Sequence, residues 1–238
     1  MTGLISGADL MAALWTVACW LGVGWWIERG PYSESTMAAL MTRRRYEWAL
    51  RIAEREQRIV DAALLNSLQS GAAFFASACM FAIGGAAALL GQAEALAALS
   101  NDLPFADHVA AGDWRRRLLA PLGLLVYAFF KFAWSHRLFN YNAIMLGSIP
   151  MPHPGQTEIP PEAEDAALRA ARLNEQAALN FNRGLRGLYF ALGTLGWLLG
   201  PWGAVAGAAL VAWAMWRREF ISHSRAALTS EKPPEPKI

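Results

Sequence analysis

The feature that most constrains this chain is its supply of long apolar runs. About 20 consecutive apolar residues cross the ~30 Å hydrocarbon core of a bilayer. Four stretches meet that length: 10–27, bounded by Asp9 and Glu28; 71–91; 118–134, opened by Arg115, Arg116 and Arg117; and 187–216, closed by Arg217 and Arg218. Composition agrees with a lipid setting. Charged residues are 17% of the chain, against about 25% in soluble domains. The 11 tryptophans and abundant small residues suit membrane interfaces and close helix packing. The reading is an all-α, polytopic helical membrane protein whose first partner is the lipid bilayer.

The last run is ambiguous. Its thirty residues make a helix of ~45 Å at 1.5 Å per residue, longer than a span requires. At its middle stands Gly200-Pro201-Trp202-Gly203, a turn signal. Two short spans near 181–199 and 202–220 are the alternative. With that hairpin, 17 basic residues fall on one side and only Arg115, Arg116 and Arg117 on the other. The positive-inside bias therefore favours five spans, N-terminus outside and C-terminus cytoplasmic, over four. The N-terminal MTGLISGADL has no basic residue, so it lacks the positive region of a secretory signal, and the first run is expected to stay as an anchor.

Residues 33–69 read as one long cytoplasmic helix running unbroken into the second span, since neither Gly nor Pro interrupts them. Met37, Met41, Trp48, Ile52, Ile59 and Ala63 form an apolar stripe of eleven-residue period, and Glu47/Arg51 and Glu54/Arg58 are i,i+4 pairs. After a Pro-rich linker at 149–155, residues 160–187 read as a second long helix, acidic first and basic later. The two helices are expected to pack together as a stalk, or the Met37/Trp48/Ile52 stripe to dock a partner or second copy. A short helix is expected within 92–114. Residues 1–230 read as a single domain and 231–238 as a disordered tail.

The stretch FFKFAWSHRLFNYN at 129–142 carries Lys131, His136, Arg137, Asn140 and Asn142 after an apolar run. Most of it reads as a helix leaving the membrane, with Lys131 reaching the headgroups. Asn66, Gln69, Asn174, Gln176, Asn180, Asn182, Arg183 and Arg186 fall at the same expected depth. Together they form a polar layer that either joins helices or lines a cationic pocket for an anionic headgroup or metabolite. Gly196, Gly200, Gly203 and Gly207, preceded by Gly193, and the stripe Trp15/Cys19/Gly22/Trp26 read as helix-packing or oligomer faces.

Several chemistries find no support. Net charge is +2, too little to argue for nucleic acid. Cys19 and Cys79 lie in apolar runs, so a disulfide framework is not expected. Asp102, Asp107, His108 and Asp113 match no metal-ligand spacing, and no second intramembrane His completes a haem site. No HExxH, GxSxG, P-loop or GxGxxG occurs. No cofactor or metal is expected. A non-catalytic protein that assembles with itself or a membrane partner is the leading reading. A small transporter, channel or lipid-binding protein is the second.

RLFNYNAIMLGSIP (137–150), NEQAALNFNRGLRGLYFALG (174–193) and WRREF (216–220) resemble an uncharacterised integral membrane family, domain of unknown function number five hundred and ninety-nine. The resemblance implies a multi-span helical protein of bacterial inner membranes. It carries over no activity, cofactor or catalytic residue.

Overall fold

A computed structural model of the protein describes residues 6–101, 110–151 and 159–229, and every regular element among them is helical. Helix α1 spans Gly7–Arg29, opened by Ser6, whose hydroxyl oxygen accepts from the Asp9 N–H at 3.0 Å. There follow α2 (Met37–Glu54), α3 (Ile59–Gly91), α4 (Ala93–Asn101), α5 (Ala111–Gly147), α6 (Pro161–Gly193), α7 (Pro201–Phe220) and α8 (His223–Thr229). Helix α4 is the short element expected within 92–114. Three of these helices, α1, α3 and α5, are long and apolar enough to cross a membrane. Asp102, Asp107, His108, the tail 231–238 and most of the Pro-rich linker lie outside the described residues.

The unbroken helix expected over 33–69 is corrected. The chain leaves helical geometry between Glu54 and Ile59. Nothing local enforces this, since Arg, Glu and Gln are all good helix formers. Tertiary bonds do. The Trp48 indole N–H donates to Asp61 Oδ1 at 2.7 Å; within one helix those residues would stand ~20 Å apart. The Arg58 guanidinium donates to the carbonyls of Ile149 (2.7 Å) and Pro150 (3.1 Å), satisfying acceptors past the end of α5. The expected Glu54/Arg58 partnership is therefore replaced, and Glu47 pairs with Arg44 at 2.8 Å. The eleven-residue stripe stops at Ile52, which is buried, while Ile59 is exposed.

The turn at 200 is where the sequence places it. A 3-10 segment, Thr194–Leu199, ends α6, and Gly200 adopts φ 99°, ψ 177°, a region essentially restricted to glycine. Pro201 then opens α7, where its missing N–H costs nothing.

The described residues form two compact units. One comprises Met1–Met37, Cys79–Ala128 and Leu185–Ile238. In it α1 packs along α7. Ala12, Trp197 and Ala204 form one core, and Phe190, Ala208 and Met215 another, the latter joined by Cys19, Trp20 and Val23. The other comprises Ala38–Ala78 and Phe129–Gly184. Its core joins Ile52, Ala53, Leu65, Leu146, Ile149 and the alanines 163, 167 and 170 of α6. A second cluster stacks Phe75 on Phe132, centroids 5.2 Å apart, with Phe181 edge-on to both. Gly184 makes room for it: a β-carbon there would stand 2.8 Å from the Phe132 ring.

Candidate functional site

Most of the polar residues singled out by the sequence meet within the second unit, along α3, α5 and α6. Asn142 is 0% exposed. Its amide donates to the Ala170 carbonyl at 2.6 Å, and its oxygen accepts from Asn174 at 3.2 Å. Asn174 in turn accepts from Arg45 of α2 at 2.6 Å. Burial pulls Arg45 below its ordinary value. Beside it, the Tyr46 hydroxyl donates to Glu175 at 2.9 Å; burial first, then that carboxylate, raises the phenol. His136 Nδ1 lies 3.2 Å from the Gln69 carbonyl oxygen, and the Gln69 amide donates to Asn140. Lys131 donates to Asn180 at 3.3 Å, and Asn180 donates to the Gln176 carbonyl at 2.8 Å. These groups are engaged with one another and with backbone carbonyls, so their arrangement joins helices.

The remaining candidates stand apart from that network. Arg137 is exposed and folds onto Tyr141 of its own helix, its Nε donating to the hydroxyl at 2.5 Å. Asn182 and Arg183 are half-buried. Arg186 belongs to the first unit, where it is buried and pairs with Glu28. Gly24 leaves space for it: a β-carbon there would meet the Arg186 guanidinium at 3.3 Å.

The helix-packing candidates are largely covered by the chain itself. Gly196 faces Gly203 and Gly193 faces Gly207 so closely that a β-carbon on Gly196, Gly203 or Gly207 would collide with the opposing carbonyl oxygen. That close approach seals the arms of the Gly200 turn. Ile52 is buried, Trp48 is packed against the same core, and Met37 is half-buried. Gly22, in contrast, has open space around it.

Two constellations escaped the sequence reading. In the second unit, a cavity of about 190 Å³ is lined by Arg58, Asp61, Asn66 and Gln69 over an apolar floor that includes Ile52 and Leu65. Asp61 is 4% exposed. Its Oδ1 accepts from Trp48 and, at 2.8 Å, from Arg55, while Oδ2 has no partner among the described residues; neither has Arg58 Nε. One signal was available: Asp61 is the single acidic residue in the 33 of α3. In the first unit, Asp9 Oδ1 accepts from Arg117 Nε and from the Trp197 indole, both at 3.0 Å, beside a cavity of about 340 Å³ that Asp113 and Arg116 also line. Asp113 is thus held in an ion pair with Arg116.

Among the described residues the arrangement is all-helical, with three membrane-length helices and polar pairs that tie helix to helix. The chain matches the family described as "Protein of unknown function, DUF599" over residues 11–224, and it belongs to that family. Neither a curated protein nor a solved structure matches it.

Proposed function

We propose that this is an integral protein of the bacterial inner membrane with five spans, N-terminus outside and C-terminus cytoplasmic, acting as a non-catalytic assembly or accessory protein. The observation that carries the topology is which ends pair. Asp9, Arg117 and Trp197 meet; they stand at the ends of spans one, three and four that the five-span order puts outside. Glu28 pairs with Arg186; the same order puts both toward the inside. Such pairing follows from antiparallel neighbours on either side of the Gly200 turn.

The apolar stretch of α3 is only 6% buried by the rest of the chain, and that of α1 17%. Uncovered apolar surface on this scale calls for lipid or a membrane partner. With Gly196, Gly203 and Ile52 covered internally, α1 and α3 are the faces left for assembly. The second reading, binding of a small polar ligand, rests on the cavity at Arg58 and Asp61.

Two single cysteines test the topology after Cys19 and Cys79 are replaced by alanine. Gly7→Cys should react in intact cells with a membrane-impermeant maleimide. Ile221→Cys should react only after permeabilisation. Labelling of both from the same side would establish four spans instead, and release of the protein by carbonate washing would end the membrane reading.

A further inference from the structure

Two residues that line the cavity at the start of α3, Arg58 and Asp61, each carry one buried side-chain atom without a partner among the described residues. Two nitrogens of Arg58 are pinned on backbone carbonyls, which fixes the plane of the guanidinium and leaves its Nε–H buried and unpartnered. Asp61 Oδ1 is occupied by Trp48 and Arg55, which fixes the carboxylate and leaves Oδ2 buried and unpartnered. Buried polar atoms are nearly always hydrogen-bonded, so this pair calls for an occupant. An anion alone would satisfy Arg58 and leave Asp61 Oδ2, whose carboxylate Arg55 already pairs, without a donor. A cation alone would do the reverse. A group carrying both, an ammonium a few bonds from an anionic oxygen, satisfies each. The amide side chains of Asn66 and Gln69 line the same space, and its volume of about 190 Å³ suits a headgroup better than a drug-sized molecule.

Its position argues for a lipid source. Ile59 and Val60, between Arg58 and Asp61 in sequence, are 77% and 76% exposed, and Ile144, next to the lining residue Ala143, is 70% exposed. The 33 residues of α3 make ~50 Å of helix, slightly more than the ~40–45 Å of a bilayer with its headgroups. With the apolar remainder of α3 in lipid, its first turn stands at headgroup level. Resting on the membrane reading above, we propose that this cavity holds the headgroup of a zwitterionic aminophospholipid, its phosphate oxygen accepting from Arg58 Nε and its ammonium donating to Asp61 Oδ2.

Binding of short-chain phosphatidylethanolamine to the full-length protein in detergent, followed by native mass spectrometry, tests this. Phosphatidylcholine, whose quaternary ammonium has no N–H, phosphatidylglycerol, which has no ammonium, and free phosphoethanolamine are the comparisons. Phosphatidylethanolamine should bind at least about tenfold tighter than phosphatidylcholine, the worth of one charge-assisted hydrogen bond. Free phosphoethanolamine should bind more weakly than the lipid; equal binding would assign the site to a soluble zwitterion and overturn the lipid source. Asp61→Asn keeps an acceptor for Trp48 and removes the carboxylate, so it should erase the preference. Ala62→Leu, at an exposed lining position, should weaken binding without touching either charged group. Equal binding of all three lipids, or a preference that survives both variants, overturns the proposal and leaves water as the occupant. A protein that resists carbonate washing yet shows no preference loses this inference alone, while one released by carbonate loses the membrane reading beneath it.

Discussion

Replacing Asn174 with leucine should damage the protein more than replacing Asn142, although the two amides touch. Asn142→Leu removes a 2.6 Å bond to the Ala170 carbonyl and a 3.2 Å bond from Asn174. At ~1 kcal/mol net for each, the loss is about 2 kcal/mol. Asn174→Leu removes the same amide pair and also takes the acceptor from Arg45, 2.6 Å away. A hydrogen bond to a charged group adds ~1.5–3 kcal/mol, so this loss is about 2.5–4 kcal/mol. The excess belongs to Arg45, and Arg45→Met in the same chain should recover about 1–2 kcal/mol of it. Unfolding by SDS in mixed micelles, followed by tryptophan fluorescence, measures wild type, the single variants Asn142→Leu, Asn174→Leu and Arg45→Met, and the double. If the Arg45→Met/Asn174→Leu double loses the sum of the singles to within ~0.5 kcal/mol, the Arg45–Asn174 bond carries no energy and the description of the network is wrong.

Other consequences are as direct. Gly200→Ala puts a side chain at φ 99° and should cost about 1–3 kcal/mol in the same assay. Gly196→Ala or Gly203→Ala should destabilise by forcing the hairpin arms apart, while Gly22→Ala, in open space, should be neutral or slightly stabilising. Asp9→Asn strands the buried Arg117 and should cost ~3–5 kcal/mol, whereas Asp9→Leu with Arg117→Met should cost less than the single change because no charge is left unpaired. The Tyr46 phenol is raised in the folded state. Its contribution is therefore complete below the unfolded value of about 10 and lost as pH rises through the folded one. The stability difference between wild type and Tyr46→Phe should shrink in melting experiments at pH above about 10.

How far these features could be read from sequence depends on whether their cause is local. The bounds of α1 follow an abrupt exchange of charge for apolar side chains at Asp9 and Glu28, and Gly200-Pro201 announces its turn by backbone chemistry. Asn142, Asn174 and Asn180 drew notice because amides beside apolar runs need partners, and the structure supplies those partners. The break before Ile59 left no local mark. It exists because Arg58 reaches carbonyls 91 and 92 positions away and because Asp61 holds Trp48. The Asp9–Arg117 pair, 108 residues apart, was equally hidden. Asp9 and Arg117 each looked like the edge of a span, and only the folded arrangement shows that the edges meet.

The most direct test of the account is the surroundings of Phe81, on α3 and 82% exposed. A spin label at Phe81→Cys, in protein lacking Cys19 and Cys79 and reconstituted in bilayers, should collide readily with oxygen and hardly at all with a water-soluble nickel chelate. The opposite result, easy access by the chelate, would place the most apolar helix of this protein in water and contradict the membrane reading outright.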